Sequence, residues 1–470
     1  MTAPANERIL DVVVIGGGLA GVRTALGLHD ADRSFVLLEA NDRLGGRVKT
    51  IRDPALPGGV FDVGARQIGQ GYRRTLALID RFGLETVDEA VLLLPSVYCV
   101  DGAFVRPEDW KDSAQNPFPE AFRSIPLPLQ GPSFLTRHDV FTTLDEWRGH
   151  AALSLDVPVA DHMRADGYDD DAIRLTQLSL GGIDPERTSM LTLLQEHHRL
   201  LDELRLTSGG AMAIEQAGSS AAPPARPAIQ NIVGGTSTLI DAMTGPFRPN
   251  VRLNHAVASI DMRAAYSLVT CANGEEFRAR RVVSAVPFTA LRSVVVTPAV
   301  RAAQNEAIAG MSYSTNTRVW ARVKRRFWED DGLPASTFSD APFRAAYVLR
   351  DAATDEHTVM FIMSGDAARA IDCNPSSIAE DVIASFSDVR PAAKGALDVV
   401  LTSSWATEPH VGGLRHSYSP GQMRQWLGEL DRPWHRLHFA GEHTRRQEMG
   451  MEAALESAER VLDELEASVE

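Results

Sequence analysis

One short run near the start of this chain has residue types and spacing that do chemistry. Gly16-Gly17-Gly18-Leu19-Ala20-Gly21 reads G-x-G-x-x-G. In such a run the first glycine permits a tight turn and the second lets backbone approach a pyrophosphate. The third lets a helix pack on a strand, and the helix N-terminus favours the anion. Glu39 ends the next strand-like run, where a carboxylate accepts ribose hydroxyls. Asn41-Asp42-Arg43-Leu44-Gly45-Gly46-Arg47 follows directly. A glycine pair between two arginines offers N–H groups and guanidinium forks to more phosphate. A dinucleotide site on Gly16, Gly18, Gly21, Glu39 and Arg47 is the expectation. Only one such glycine run occurs.

Those residues need an α/β scaffold. Ile9–Ile15 is a β-branched apolar run suited to a strand buried on both faces. A helix over Leu19–His29 and a second strand over Ser34–Ala40 complete a β-α-β unit. Tyr72–Phe82 has helical spacing. Prolines at 95, 107, 117, 119, 126, 128 and 132 forbid long regular elements between them. Helical stretches are expected through 139–206, and Ser208–Pro227 reads as a surface loop. Strands are predicted at Ala256–Met262, Ser267–Cys271 and Arg280–Val286. Arg318–Lys324 alternates as a half-buried antiparallel strand does. Ser377-x-x-Glu380 predicts a capping box, and a long helix closes the chain over Met451–Ala467. The interleaving predicts a discontinuous Rossmann-like dinucleotide-binding domain (1–85, 230–297 and 403–470). A mixed α+β substrate domain (86–229 and 298–402) is inserted in it.

The 470 residues carry 47 basic and 62 acidic side chains, a formal charge of -15, with 44% hydrophobic residues. A surface that negative disfavours nucleic acid and anionic lipid. No stretch approaches a membrane span. Cys99, Cys271 and Cys373 are too few and too scattered for a disulfide framework or a zinc site, and they fit a reducing cytoplasm. The His197-His198 pair lacks further ligands, so no metal is expected.

Three more segments complete a set: Phe61-Asp62-Val63-Gly64-Ala65-Arg66-Gln67, Leu437-His438-Phe439-Ala440-Gly441-Glu442-His443-Thr444, and Gly450-Met451-Glu452-Ala453-Ala454. With the glycine run and Arg43–Arg47, they resemble the flavin-containing amine oxidases, the group of monoamine, polyamine and L-amino-acid oxidases. The resemblance spans the whole chain. It implies an extended, non-covalent FAD, with Gly16, Gly18 and Gly21 at the pyrophosphate and Glu39 at the adenosine ribose. Arg47, Gly64, Arg66, Gly441 and Glu442 would lie along the rest of the cofactor. Val257 would meet the adenine through its backbone. Met451 would present its N–H to the flavin N1/O2 edge, where a helix N-terminus favours the negative charge of the reduced ring. The resemblance also implies a small nitrogen-containing substrate, O2 as electron acceptor and a homodimer.

Departures from the family pattern sharpen the reading. The family's active-site lysine lies ten residues before a Phe-Trp pair, and counting back from Phe327-Trp328 reaches Arg318 (a surface strand residue is the competing reading). Arginine keeps the charge but cannot shuttle a proton at neutral pH. The cysteine of covalent family members becomes Leu414. The two aromatic cage positions become Arg415 and Gly450, which disfavours simple arylalkylamines. The carboxylate-binding arginine of L-amino-acid oxidases becomes Gln67, leaving Arg66, Arg318 and Arg415 as candidate clamps. Trp405 fits either an aromatic wall or an ordinary core position, and His443 reads as structural. Gln67, Arg318, Trp405 and Arg415 are thus the candidates around the reacting centre, for oxidation of a C–N bond with H2O2 as by-product. The competing readings are a biosynthetic amide oxidase or oxidative cyclase of secondary metabolism, resembling the lankacidin amide oxidase/cyclase, an L-amino-acid oxidase, and a flavin-binding protein without turnover.

Overall fold

The computed structural model describes residues 8–53, 59–88, 91–207, 229–351 and 354–467. The loop expected at Ser208–Pro227 lies outside them. The chain opens with strand β1 (Ile9–Ile15), helix α1 (Leu19–Asp30) and strand β2 (Phe35–Leu38). β1 is buried on both faces because it is central. It pairs in parallel with β2 on one side and with the Glu276–Ser284 strand on the other. The sheet runs Val251–Arg252, β2, β1, Glu276–Ser284, Ser267–Cys271, Val257–Met262, Val295–Thr297, with Leu437–Phe439 also on the Glu276–Ser284 strand. That strand begins earlier than its apolar run suggests. Its first residues make an antiparallel hairpin with Ser267–Cys271, and its last pair in parallel with Leu437–Phe439. Val22 and Leu26 of α1 pack one face together with Leu455 and Val461 of the C-terminal helix Gly450–Ala467. Phe288, Trp426 and Phe439 fill the other face.

The second sheet is mainly antiparallel. Its order is Leu397–Ser404, Asn316–Val323, His357–Ser364, Ala345–Asp351, Ser336–Ser339, Ser96–Val100, Ala103–Val105. Val319, Ala321, Phe361 and Phe386 form the core under one face. The other face was expected to be open at Trp320, yet Trp320 is 2% exposed. Phe61, from the first part of the chain, covers it edge-on at 5.2 Å between ring centroids. The strand is therefore covered on both sides, by a residue that its own periodicity cannot reveal.

The capping box at Ser377 is a correction. The helix runs Ile378–Val389 as expected, but Ser377 makes no side-chain cap. Its hydroxyl donates to Asp381 Oδ2 at 2.6 Å, so the acidic neighbour outcompetes the backbone. A tertiary cap appears elsewhere. The fully buried Glu452 carboxylate accepts from the Thr75 N–H at 2.8 Å, the Thr75 hydroxyl at 2.7 Å and the Arg74 N–H at 3.1 Å. It thereby satisfies the N-terminus of the Arg73–Phe82 helix. Among the described residues, no helix is long and apolar enough to cross a membrane.

Candidate active site

β1, the Glu276–Ser284 strand and the Leu437–Phe439 strand end level with one another: Ile15 pairs with Ser284, and Ser284 with Phe439. Ligands of open α/β sheets bind at such carboxyl ends. A cavity of about 530 Å³ opens there, lined by Gly16, Gly18, Glu39, Arg47, Gly64, Val257, Arg318, Trp405, Arg415, Gly441, Glu442 and Met451. Gly21, Arg66 and Gln67 are not on its lining. Gly21 stands behind the turn, where a Cβ would collide with the Gly16 carbonyl oxygen. Gln67 is exposed and Arg66 half-buried.

The dinucleotide end is built from local sequence. Gly16 takes φ +98°, which only glycine adopts without strain. No side chain caps α1, whose first N–H groups are left for an anion. Glu39 is 6% exposed and held by three donors: the Gly17 N–H at 2.7 Å, the Asn41 N–H at 2.9 Å and Asn41 Nδ2 at 3.0 Å. Its oxygens keep acceptor capacity for a ligand hydroxyl. The His255 N–H reaches the Glu39 carbonyl at 2.8 Å, bringing the Val257 strand to this end.

The middle of the cavity holds a buried ion network. Glu442 meets Arg445 Nη1 at 2.8 Å, His416 Nδ1 at 3.2 Å and Arg47 Nη1 at 3.3 Å. Burial opposes ionisation of Glu442, but His416, Arg47 and Arg445 hold its carboxyl well below the usual carboxylate range. Arg445 and Arg415 share a second carboxylate, Glu196, at 3.0 and 3.1 Å. Glu196 comes from the Met190–Thr207 helix and is itself lowered against burial by those two arginines. Arg415 is therefore committed to a protein partner. His443 makes no hydrogen bond through either buried ring nitrogen and packs on Phe288 at 4.4 Å. Burial pushes its pKa down to about 3, which keeps it neutral. His197 and His198 bond Thr136 and Asp139.

The far end differs. Arg318 sits on the Asn316–Val323 strand, with only Nε engaged, donating to Asn316 Oδ1 at 3.0 Å. Asn316 is fixed in turn by donating Nδ2 to the Ser364 hydroxyl at 3.0 Å. No carboxylate among the described residues pairs with Arg318, and both burial and the Arg66 charge lower its pKa. It stays charged nonetheless, as guanidinium groups in proteins do. The Trp405 backbone N–H donates to the Asn316 carbonyl at 3.4 Å, and Trp405 lines the same wall. Across the sheet, Arg318 pairs with Ile362, Ile362 with Ala345, and Ala345 with Phe338. Direct cross-strand partners share a face, so this row leads from the cavity to a second one of about 240 Å³. That one is lined by Phe338, Arg344, Ala345, Tyr347, Ile362 and Ser364, facing Gln177 and Ser179.

Sequence reasoning did not find Glu196, His416, Arg445 or Glu408. Glu408 accepts from Lys49 Nζ and Arg43 Nη2, each at 2.9 Å, and ties the 405–411 segment down onto the Arg43–Lys49 loop. Apart from the i,i+3 pair of Arg445 with Glu442, each partner is more than two hundred positions away or lies on a different element, so no local pattern marks these residues.

The residues present fit FAD. There is a glycine cradle, an uncapped helix N-terminus, a buried carboxylate with spare acceptor capacity, and a second helix N-terminus at Gly450–Met451 lining the same space. Comparisons with known proteins agree. The chain resembles dog amine oxidase [flavin-containing] B, with 25% identity over 97% of this chain and 86% of that protein. The human protein of the same name is 24% identical over the same shares. Among solved structures, a putrescine oxidase bound to putrescine superposes with TM-score 0.73 at 18% identity, covering 98% of this chain and 99% of that one. The cyclohexylamine oxidase from Brevibacterium oxydans gives TM-score 0.74 at 22% identity, covering 98% and 100%. The model of the flavin-containing amine oxidoreductases matches residues 19–465. With the cofactor cradle and the full-length match together, the chain belongs to the flavin-containing amine oxidoreductase family and is an FAD-dependent enzyme.

Proposed function

We propose that the enzyme oxidises a C–N bond of a small nitrogen compound to an imine, with non-covalent FAD. The observation carrying this reading is that one cavity gathers Gly16, Gly18, Glu39, Arg47, Val257, Glu442 and Met451 with Arg318, Trp405 and Arg415. When bound, FAD supplies the two-electron acceptor: the substrate C–H leaves as hydride, the nitrogen lone pair closes the C=N bond, and O2 removes the electrons as H2O2. The chain's residues position and exclude water. Arg318 cannot accept a proton, so it acts through charge and hydrogen bonds, and the reacting nitrogen binds neutral. Trp405 forms an apolar wall, and the row from Arg318 to Phe338 directs the rest of the substrate toward the second cavity. Leu414 at the position of the attachment cysteine supports non-covalent binding.

We assign 1–85, 230–297 and 403–470 to the FAD-binding domain, and 86–229 and 298–402 to the substrate domain. Supporting this, the strands of the first sheet fall in the former segments. Those of the second fall in the latter, with Leu397–Ser404 crossing the limit at 403. The three free cysteines support a reducing, cytoplasmic setting. A homodimer is the assembly we propose from the family resemblance.

The test is a visible spectrum of the purified protein, release of FAD on acid precipitation, and anaerobic bleaching by pooled nitrogen compounds followed by H2O2 on admitting air. A yellow protein that releases its FAD and is bleached is the expected result. A colourless protein that takes up no FAD would overturn the reading, and flavin retained in the precipitate would overturn the non-covalent assignment.

A further inference from the structure

Gly450 opens the C-terminal helix and lines the cavity beside Met451. It takes φ +61°, a backbone that side chains rarely adopt. Having no side chain, it leaves a gap in the wall. At the point where a Cβ would stand, one described atom beyond its chain neighbours and its own helix comes within 4 Å, the Tyr72 hydroxyl oxygen at 3.6 Å. Tyr72 is half-buried and held from behind. Its backbone N–H donates to the Gly69 carbonyl at 3.1 Å, its carbonyl accepts from the Leu76 N–H at 2.8 Å, and its ring packs against the core that holds Val22 and Leu455. The charged groups around it are occupied with one another. Glu203 accepts from the Gly71 N–H at 2.7 Å and pairs with Arg199 at 3.2 Å, while Arg199 pairs with Glu448 at 2.6 Å. Glu452 caps the Arg73–Phe82 helix. The Tyr72 hydroxyl has no hydrogen-bond partner among the described residues. Burial, and after it the Glu203 charge, push its pKa up, so it stays protonated at neutral pH. A fixed, unpaired hydroxyl at a gap in a cavity wall calls for a polar partner.

Resting on the C–N oxidase reading, we infer that Tyr72 is a substrate-contacting residue: across the gap at Gly450 its hydroxyl oxygen accepts an N–H of the reacting nitrogen and so orients the C–N bond for oxidation. The direction of that hydrogen bond matters. The nitrogen lone pair has to stay free to close the C=N bond, and an acceptor on the protein engages an N–H while leaving the lone pair alone. Arg318 and Arg415 line the same cavity but carry only donors in their side chains. Its carboxylates are committed elsewhere, Glu39 to the Gly17 and Asn41 donors and Glu442 to the ion network. The Tyr72 oxygen supplies the missing acceptor, and its place at the first turn of the Arg73–Phe82 helix keeps it in one orientation.

The experiment compares the FAD-loaded enzyme with Tyr72→Phe, which loses the hydroxyl and keeps the ring. The probes are butylamine, N-methylbutylamine and N,N-dimethylbutylamine, which as neutral amines carry two, one and no N–H. Anaerobic flavin bleaching gives kcat and KM, and the shift of the flavin spectrum on mixing gives a Kd that needs no turnover. At unchanged FAD content, Tyr72→Phe should lower kcat/KM about 10-fold for the two amines with an N–H and change it less than about 2-fold for the tertiary amine. The tertiary amine is thus the guard against a folding defect, since a structural role would move all three alike. An equal loss for all three overturns the inference, as does failure of all three to bind. Bleaching that is unchanged by Tyr72→Phe overturns it too, while leaving the oxidase reading intact. Binding of the N–H amines that weakens in Tyr72→Phe, without bleaching by any of them, would keep the contact and remove the C–N oxidase reading instead.

Discussion

Two groups of arginines face one cavity, and they are built in opposite ways. Around Glu442 and Glu196, Arg47, Arg415, Arg445 and His416 all meet a carboxylate within 3.3 Å, between the Met190–Thr207 helix and the 441–445 turn. Arg318 is held instead by a neutral amide, Asn316 Oδ1, with no carboxylate paired to it among the described residues. Buried charges persist where partners and hydrogen bonds offset desolvation. The first group therefore belongs to the architecture, joining the Met190–Thr207 helix to the 441–445 turn. At Arg318 a hydrogen bond to a neutral side chain takes the place of an ion pair.

This contrast can be broken at several points. The largest effect should come from Glu442→Gln, which strips the shared partner from Arg47, Arg445 and His416. It should cost about 3–5 kcal/mol in chemical denaturation, with visible loss of bound FAD. A stable, yellow variant would mean that the network is incidental. Glu196→Gln leaves Arg445 with Glu442 but frees Arg415, and about 2 kcal/mol should be lost. Next is pH. His443 is buried neutral with its pKa pushed down to about 3, so the unfolded chain binds its proton first. That stabilisation is complete above about pH 6.5 and falls as pH drops toward 3, by at most about 1.4 kcal/mol per unit. Denaturation curves at pH 7 and pH 5 should therefore differ less for His443→Phe than for the parent, and an unchanged difference would contradict this. The smallest effect belongs to Glu408→Gln. Its pairs with Arg43 and Lys49 are about a quarter exposed, so screening should hold the loss to about 0.5–1 kcal/mol, further reduced by salt.

The dinucleotide end was legible because its signals are local. The glycine run, β1, α1 and Glu39 lie within thirty-odd consecutive positions, each specifying its own backbone or face. Strand Ser267–Cys271 falls on its predicted residues for the same reason. Family resemblance, rather than periodicity, pointed to Val257, Glu442 and Met451, and all three line the cavity. What stayed hidden depends on distant partners. Trp320 looked exposed because alternation shows which residues share a face but not that Phe61 covers it. Ser377 carried a correct capping pattern, yet its hydroxyl found Asp381 one turn on. Glu452 and Glu196 look like ordinary helical acids, and only the fold turns one into a cap for Arg73–Phe82 and the other into the bridge between two arginines. Likewise, sequence offered Arg66, Arg318 and Arg415 as equivalent clamps. It is the Glu196 carboxylate, two hundred residues from Arg415, that separates them.

The most direct test sets the same substitution in both groups: Arg445→Met and Arg318→Met, each compared with the parent by denaturation of the FAD-loaded protein without substrate. Arg445→Met should destabilise by about 3–5 kcal/mol, because Glu442 and Glu196 lose a buried partner. Arg318→Met should cost about 1 kcal/mol or less, because it removes one hydrogen bond to Asn316 Oδ1 and no ion pair among the described residues. A loss at Arg318 as large as that at Arg445 would contradict the account, since it would mean that Arg318 is a structural cation.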